Sequence, residues 1–227
     1  LRMSIDSSLT FLFLLPALGS LLLLVTAYVR RRPIDTAEAT IFGLIVAAAM
    51  VFYGYRCVVG VRRLWRLRLA LDGEVAVGQE LQNLMLSGAR VYHDFPAEGF
   101  NIDHVVIGPG GVVAVETKAR SKPNAPERQR KDSVRVVYDG KSLQFPTHTE
   151  VKPVAQAERQ AQWLARWLTS AVGRNVEVTP ALAIPGWFIE HMAFEPVRVF
   201  NGKNPGFLLK PRRGQSLDAA QIQAIAH

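Results

Sequence analysis

The sequence predicts an α/β domain, in which a mixed central sheet is flanked by helices, preceded by a pair of membrane-spanning helices. The first 70 residues contain two long apolar stretches. Strand-like and helix-like segments alternate through the rest of the chain, around a strong hairpin signal at residues 101–118. We therefore divide the chain into a membrane anchor, residues 1–70, and an α/β domain, residues 71–227.

Both apolar stretches of the anchor have the length of transmembrane helices, because about 20 apolar residues cross a bilayer. The first is predicted at about residues 9–29 and contains no charged side chain. The second, about residues 39–61, is interrupted only by Arg56. A short connection, Arg30–Pro33, makes the pair a helical hairpin with both ends on one side of the membrane. The alternative is a secretory signal sequence over roughly the first 20 residues.

The distribution of charge predicts that the α/β domain lies in the cytoplasm, because cytoplasmic flanks retain Lys and Arg. The connection carries three arginines, whereas Arg2 and four arginines between residues 62 and 68 flank the outer ends. Of the formal net charge of +8, residues 1–70 supply +6, from nine basic and three acidic side chains. Bulk charge therefore does not indicate nucleic-acid binding. We expect a protein integral to the inner membrane of a bacterium-like cell.

The α/β domain begins with a helix and three strands. Residues 71–88, "LDGEVAVGQELQNLMLSG", repeat apolar residues at helical spacing and end in Gly88, a typical C-terminal cap. Residues 89–95, "ARVYHDF", alternate like a strand. Residues 101–120, "NIDHVVIGPGGVVAVETKAR", place two alternating apolar runs around a Gly-Pro-Gly-Gly turn. These segments predict that the hairpin lies in a sheet covered by the helix.

The second half of the domain predicts further strands and two helices. "SVRVVYDGKSLQF", residues 133–145, is typical of two short strands around an Asp-Gly turn, and "VEVTPALAIPG" and "VRVFNG" are later strands. A helix is expected from Pro153 to about Val172, because proline suits a first helical position. Its predicted buried face comprises Val154, Ala157, Ala161, Leu164 and Leu168. "SLDAAQIQAIAH" predicts a final short helix opened by Ser216.

The hairpin brings polar residues together at its open end. A tight turn within Gly108–Gly111 sets a register in which Asp103 faces Glu116 and Asn101 faces Lys118. Alternation along the strand puts Glu116 and Lys118 on the same side. Two facing carboxylates repel unless a cation or the lysine lies between them. The spacing therefore predicts either a cation site or an ordinary ion pair at a strand end, and does not choose between them.

A divalent cation between Asp103 and Glu116 would give the hairpin hydrolytic chemistry. Mg²⁺ keeps several waters and is completed by substrate phosphates, so two carboxylates are sufficient protein ligands. The ion polarises a phosphoryl oxygen and activates a water, while Lys118 stabilises the hydroxide nucleophile.

This stretch resembles the nuclease-related domain (NERD) family, whose members carry a motif like "iDHvvvgpnGvfviEtK" after a helix with a Gly-Glu pair. The pattern extends from about Gly73 to about Asn201. The resemblance implies a restriction-endonuclease-like core and a nuclease that uses Mg²⁺ or Mn²⁺ on nucleic acid, DNA in preference to RNA, with no small-molecule cofactor. The matching residues are Asp103, His104, Gly108, Gly111, Glu116, Thr117 and Lys118.

The resemblance also implies a role for each residue of the motif. Asp103 and Glu116 are the metal ligands, Thr117 adds its backbone carbonyl, and Lys118 assists the attacking water. His104 points to the opposite face of the strand and is predicted to be packed rather than catalytic.

Further site residues are predicted outside the motif. The family's Gly-Glu pair is matched to Gln79-Glu80, so Glu80 is taken as the helix carboxylate, with Glu74 as a competitor that helical periodicity does not exclude. Gln156, near the start of the next helix, is predicted to contact either the substrate or a residue of the site, and a solvated polar position is the alternative. Arg120 and Lys122 begin a basic loop and are predicted to contact phosphates. A loop of this composition is also typical of a solvated surface.

A second class of function remains open at this point. The same fold can serve as a catalytically inactive module that binds nucleic acid or protein, or signals, at the membrane. An intact set of Asp103, Glu116 and Lys118 favours the enzyme, whereas the nearly neutral α/β domain speaks against tight binding of nucleic acid. Turnover of a substrate separates the two.

Overall fold

The computed structural model describes residues 2–31, 33, 35–123, 133–193, 195–211 and 216–226. Within these ranges the helices are α1 (Arg2–Arg30), α2 (Thr36–Gln82), α3 (Lys152–Val172) and α4 (Ala219–Ala226). The strands are β1 (Arg90–Ala97), β2 (Phe100–Gly108), β3 (Gly111–Thr117), β4 (Arg135–Tyr138), β5 (Leu143–Gln144), β6 (Thr149–Glu150), β7 (Val178–Ala183), β8 (Phe188–His191) and β9 (Arg198–Phe200). Short 3₁₀ helices occur at Asn83–Ser87 and Pro205–Leu209. The chain divides into two compact units, Leu1–Arg68 and Leu69–His227, and each is described separately.

The first unit does not support the predicted two-helix transmembrane hairpin. Among the described residues, one helix is long and apolar enough to cross a membrane, Thr36–Ser87, and its apolar window is not buried in the protein. Within α1, Pro16–Arg30 is a shorter apolar stretch. The second predicted span therefore coincides with a helix that meets the length and composition of a membrane span, and the predicted two-helix hairpin is not supported.

The second unit is built on a five-stranded sheet with the order β1-β2-β3-β7-β9. The hairpin register is as predicted over five pairs, from His104 opposite Val115 to Gly108 opposite Gly111. Beyond these pairs, Glu116 and Thr117 stay paired with the parallel strand β7. All seven residues of β3 are buried, as expected for a strand at the centre of a sheet. The end of β3 is therefore held by β7 after its ladder with β2 has ended.

Helices cover both faces of this sheet. The end of α2 packs Val77 and Leu81 against one face, together with Val115 of β3. On the other face, α3 and α4 pack against a cluster that includes Val105 and Ala114. All five residues of the predicted buried face of α3 are buried. The sheet is thus the middle layer of the unit, and its strand ends lie between α2 and α3.

A second, four-stranded sheet has the order β6-β5-β4-β8. The Asp-Gly hairpin forms β4 and β5, but strands β6 and β8 were not predicted. Strand β8 pairs in parallel with β4, a partner more than 50 residues away that no local pattern indicates. Tyr138, Leu143 and Trp187 fill the core between this sheet and the start of α3.

The start of the last helix differs from the prediction. Gln221 N donates to Asp218 Oδ1 at 2.8 Å, and Asp218 N donates to Gln221 Oε1 at 3.0 Å. This reciprocal pair satisfies two amides that a helix start leaves without partners. Asp218 therefore caps α4, and the prediction that Ser216 opens it was wrong.

Candidate active site

The ends of β2 and β3 position the first carboxylate of the site. Asp103 is half-buried on β2, just beyond the last backbone pair, His104 opposite Val115. The Thr117 backbone N–H, which the ladder no longer engages, donates to Asp103 Oδ2 at 2.7 Å. The side chain thus replaces the next backbone bond, and this fixes one carboxylate oxygen against the end of β3.

Glu116 is the second carboxylate, and it is 1% exposed. Lys118 Nζ donates to Glu116 Oε1, and Gln156 Nε2 of α3 donates to the same oxygen at 2.9 Å. Glu116 Oε2 is buried with no hydrogen-bond partner among the described residues. An unsatisfied buried acceptor costs about 1–3 kcal/mol, and more when it is charged. The arrangement therefore holds one oxygen firmly and leaves the other as an open ligand position.

Asp103 and Glu116 interact strongly with each other. Burial raises the pKa of Asp103 to about 7, and the nearby charge of Glu116 adds to this increase. The Thr117 amide and the Lys118 charge oppose it without cancelling it. Near neutral pH the Asp103 carboxyl is therefore partly protonated. A positive ion between the two groups would displace that proton, because opposite charge favours the ionised form.

Helix α2 brings a third carboxylate to this place, and that residue is Glu74. Burial is the main cause that raises the pKa of Glu74, followed by the charge of Asp94 and a hydrogen bond with its side chain. The charges of Glu116 and Lys118 also act on Glu74, and Glu74 in turn raises the pKa of Asp103. Glu74 therefore belongs to the same electrostatic cluster as the strand carboxylates.

Glu80, the predicted helix carboxylate, is not among these described neighbours of the pair. It lies six residues beyond Glu74, about 9 Å along the helix axis and on a different side of α2. Gly73 explains why Glu74 is the one that reaches the site. A Cβ on Gly73 would stand 2.6 Å from the Ala119 Cβ, so only glycine lets α2 approach the chain beside Lys118 so closely. In Gly73-Glu74 the glycine directly precedes the glutamate, as in the family's Gly-Glu pair. The sequence therefore contained a pattern that indicates Glu74.

Asp94 also lies beside Glu74, and the sequence did not predict it as a residue of this cluster. The pairs His93–His104 and Phe95–Ile102 flank it in the β1–β2 ladder, so it lies level with Asp103. Its φ of 51° is a left-handed conformation that Asp tolerates better than most residues. An alternating strand pattern cannot reveal such a local turn of the backbone.

His104 is packed, as predicted. It is 2% exposed, and its Nδ1 lies 2.8 Å from His93 Nδ1. Burial lowers the pKa of His104 to about 4, and the charge of His93 adds to this decrease. A Cβ on Gly78 would lie 3.2 Å from the ring of His104, so this second glycine of α2 makes room for the pair. His104 thus supports the packing of α2 on the sheet.

The two predicted phosphate contacts have different surroundings. Arg120 forms a fork with Glu150 of β6, with Nε–Oε1 at 2.8 Å and Nη2–Oε2 at 2.6 Å. This pair occupies the guanidinium. Lys122 is exposed, and its Nζ lies beside Gly186, after β7. The rest of the basic loop, residues 124–132, lies outside the described residues.

The oxygen donors of the site fit a hard cation that keeps several waters. Asp103 and Glu116 offer carboxylate oxygens, of which Glu116 Oε2 is without a partner, and the Thr117 carbonyl is the predicted third ligand. Within the part of the chain that the structure describes, no group of three or more His, Cys, Asp or Glu side chains could hold a metal ion. Two carboxylates, with an oxygen free of partners among the described residues, are donors of the kind that a hard cation binds while it keeps several waters.

The mixed sheet flanked by helices, with acidic and basic groups at neighbouring strand ends, is the architecture of a nuclease-like α/β protein. The family model of the nuclease-related domain (NERD) matches residues 70–185, which is 116 of the 227 residues, and the chain belongs to this family. The comparison with curated proteins found no match, and neither did the comparison with solved structures. Family membership indicates a nuclease-related function and suggests binding of nucleic acid.

Proposed function

We propose that the chain is a membrane-anchored, metal-dependent nuclease that hydrolyses phosphodiester bonds, in DNA in preference to RNA. The observation that carries the proposal is the Asp103–Glu116 pair. One of its carboxylates has a buried oxygen without a partner, and burial raises the pKa of the other to about 7. Such perturbed, mutually repelling groups are typical of catalytic sites.

In this proposal Asp103 and Glu116 hold Mg²⁺ or Mn²⁺, and the backbone carbonyl of Thr117 is a further ligand. When bound, the ion polarises the phosphodiester and lowers the pKa of a water molecule. The hydrogen bond from the Thr117 amide orients Asp103, and the one from Gln156 orients Glu116. Both carboxylates are therefore held in place before the substrate arrives, so little reorganisation is needed at the moment of reaction.

Lys118 supplies the positive charge next to the reacting phosphate. Its Nζ bonds Glu116 Oε1 and its side chain is 26% exposed, so the ammonium borders both the buried carboxylate and the solvent. From there it orients the attacking water and stabilises the hydroxide that forms from it. Glu74 acts at longer range, and its charge favours a cation at the pair.

The proposed substrate contacts depend on which basic side chains are not already bonded to a carboxylate. Arg120 is occupied by Glu150, so we assign it a positioning role for the segment after Lys118. Trp187 Nε1 donates to the Arg120 carbonyl at 3.1 Å and holds the same segment from the other side. Lys122 is exposed and remains the proposed phosphate contact, because phosphate contacts position a nucleic acid without reading its sequence.

Attachment to the inner membrane is proposed through α2. Its apolar window is long enough to span a bilayer, and four arginines follow between residues 62 and 68. Arginines at this place are typical of the cytoplasmic flank, which puts the α/β domain in the cytoplasm.

The test is cleavage of end-labelled DNA and RNA by the 227-residue chain purified in detergent, with Mg²⁺ and with EDTA. Asp103→Asn, Glu116→Gln and Lys118→Ala are compared with Glu150→Gln, which alters a carboxylate of the same domain outside the pair. We expect cleavage that needs the metal, is lost in the first three variants, and persists in the fourth. Cleavage that survives in folded Glu116→Gln would contradict the proposal. A folded chain that cuts neither substrate would assign it instead to the inactive binding modules.

A further inference from the structure

The second unit contains a cavity that the carboxylate site does not use. It has a volume of about 500 Å³, within the range of roughly 300–1,000 Å³ that is usual for small-ligand sites. Phe200 of β9 and Phe207 of the 3₁₀ helix line it, together with Pro211. The two rings pack edge to face with centroids 5.4 Å apart. The cavity thus offers an aromatic floor of fixed geometry.

Two cationic side chains also line this cavity, Arg198 and Lys210. Arg198 is half-buried, and burial lowers the pKa of its guanidinium. Its one hydrogen bond in the described structure is a long one, from Nη1 to the Phe207 carbonyl at 3.4 Å. Arg198 has no ion pair among the described residues, so a partly desolvated positive charge borders the cavity. Lys210 is exposed at the rim.

The cavity lies beside β9, the outer strand of the central sheet and two strands away from β3, which carries Glu116. Of the three β9 residues that line it, Arg198 and Phe200 are on the opposite face of the sheet from Glu116, and Val199 is on the same face. Phe200 packs in the cluster that contains Val77 of α2, whereas Glu116 bonds Gln156 of α3. Arg198 is two residues from Phe200 on the same strand, and residues two apart on a strand share a face. None of the residues that line the cavity belongs to the carboxylate site, so the two sites share no side chain.

We propose that this cavity binds a nucleotide, with its base against Phe200 and Phe207 and its 5′-phosphate on Arg198 and Lys210. Aromatic side chains are sequence-tolerant platforms for bases, because every base has a π face. The planar guanidinium is well matched to phosphate oxygens, and a cation at the rim adds long-range attraction. Two cationic side chains, Arg198 and Lys210, match the charge of a single phosphate group, so one nucleotide fits this lining better than a polyphosphate.

The nucleotide has two possible sources, the 5′ end of a strand or the free pool, and the test separates them. Binding of 5′-dAMP, deoxyadenosine and a 5′-phosphorylated DNA tetramer is measured by calorimetry on the 227-residue chain in detergent. EDTA is present throughout, so that the carboxylate pair has no metal with which to bind phosphate. We expect dAMP to bind at least roughly 10-fold more tightly than deoxyadenosine, since a charge-assisted hydrogen bond is lost without the phosphate. A tetramer that binds as well as dAMP identifies the strand end, and dAMP alone identifies the free nucleotide.

Variants assign the binding to this cavity. Arg198→Gln should weaken dAMP binding roughly 10-fold or more, and Phe207→Leu should weaken it severalfold by removing the aromatic surface. Lys210→Gln, at the exposed rim, tests the same site if Arg198→Gln fails to fold, and should weaken binding about threefold. Lys203→Gln is the matched control, because it removes an exposed lysine near β9 that does not line the cavity. Absence of binding by every probe, or equal binding by wild type and folded Lys210→Gln and Phe207→Leu, overturns the inference. Because no metal is present, neither result bears on the proposed hydrolysis.

Discussion

Two clusters of the α/β domain each place a buried or half-buried glutamate beside a basic side chain, but they differ in how fully their carboxylate oxygens are hydrogen-bonded. Glu150 receives a two-bond fork from Arg120 and a further contact from His148, and these bonds lower the pKa of Glu150. In the other cluster, Glu116 Oε2 has no described partner and the pKa of Asp103 is raised. The first cluster is complete as it stands, whereas the second has one positive charge, Lys118, beside two carboxylates.

The difference separates a structural ion pair from a candidate catalytic site. Both clusters contain a carboxylate beside a basic side chain, so their sequence patterns are equally suggestive of an ion pair. What distinguishes them is the second carboxylate, Asp103, which adds repulsion that Lys118 alone does not cancel. Because the repulsion between Asp103 and Glu116 raises the free energy of the folded protein, this is the cluster expected to bind a positive ion.

The largest expected effect is on catalysis. Glu116→Gln should reduce metal-dependent cleavage on the order of 10³-fold, because it removes a ligand of the ion that stabilises the transition state. Glu150→Gln should change the rate less than about threefold, since it lies outside the reacting groups. Single-turnover cleavage of labelled DNA measures both. Equal losses in the two variants would abolish the distinction between the clusters.

The next effect concerns the helix carboxylate. Glu74→Gln should lower the rate roughly 10-fold to 100-fold, the usual cost of changing a group that supports metal ligands. Glu80→Gln is the matched control on the same helix and should leave the rate within about twofold. Cleavage titrated with Mg²⁺ shows whether the loss lies in metal affinity. A larger loss in Glu80→Gln would reinstate the residue first chosen from the sequence.

Substitution in the Glu150–Arg120 cluster should change the stability of the domain and not its activity. Glu150→Gln should lower the free energy of unfolding by on the order of 1–2 kcal/mol, because half-buried, charge-assisted bonds to Arg120 are lost. That corresponds to roughly 2–8 °C in thermal midpoint for a domain of this size. Glu116→Gln should leave the midpoint unchanged or raise it, since repulsion with Asp103 is relieved. Thermal unfolding by circular dichroism in EDTA tests whether the two variants move in these different directions.

The last prediction concerns the pH dependence of stability. The folded-state pKa of Asp103 is about 7, against 3.8 for the unfolded chain, so the folded state binds more protons in this interval. Its contribution to stability is therefore present below pH 3.8 and is lost as the pH rises through about 7. Asp103→Asn removes this loss, so the variant should gain in thermal midpoint relative to wild type between pH 5 and pH 8. The lowered pKa of His104 affects both proteins alike and cancels in the difference. A difference that is flat with pH would mean that Asp103 is ionised throughout.

Much of the fold was predictable, because it rests on local periodicity. The alternating runs around the Gly-Pro-Gly-Gly turn give the β2–β3 register, and the apolar positions of α3 are those that the structure buries. The sequence also indicated that Asp103, Glu116 and Lys118 would converge, although their catalytic role stays a prediction.

The rest depends on long-range packing. The electrostatic proximity of Glu74 to Asp103 depends on the close approach of Gly73 to Ala119, which helical periodicity cannot predict. The ion pair of Arg120 with Glu150 joins residues 30 positions apart in the sequence. The parallel pairing of β4 with β8 joins segments that are separated by more residues still. The predicted two-helix transmembrane hairpin is not supported, because only one helix among the described residues has the length and composition of a membrane span.

The parallel pairing of β9 with β7 sets a practical limit for expression. The family match ends at residue 185, but Arg198–Phe200 cover the outer edge of β7 at Ala181–Ala183. A fragment cut at the end of the match would expose unpaired backbone groups on an apolar strand. Such edges recruit strands from other chains, so this fragment should aggregate even if its hairpin folds. Fragments intended for crystallisation therefore need to extend beyond Phe200.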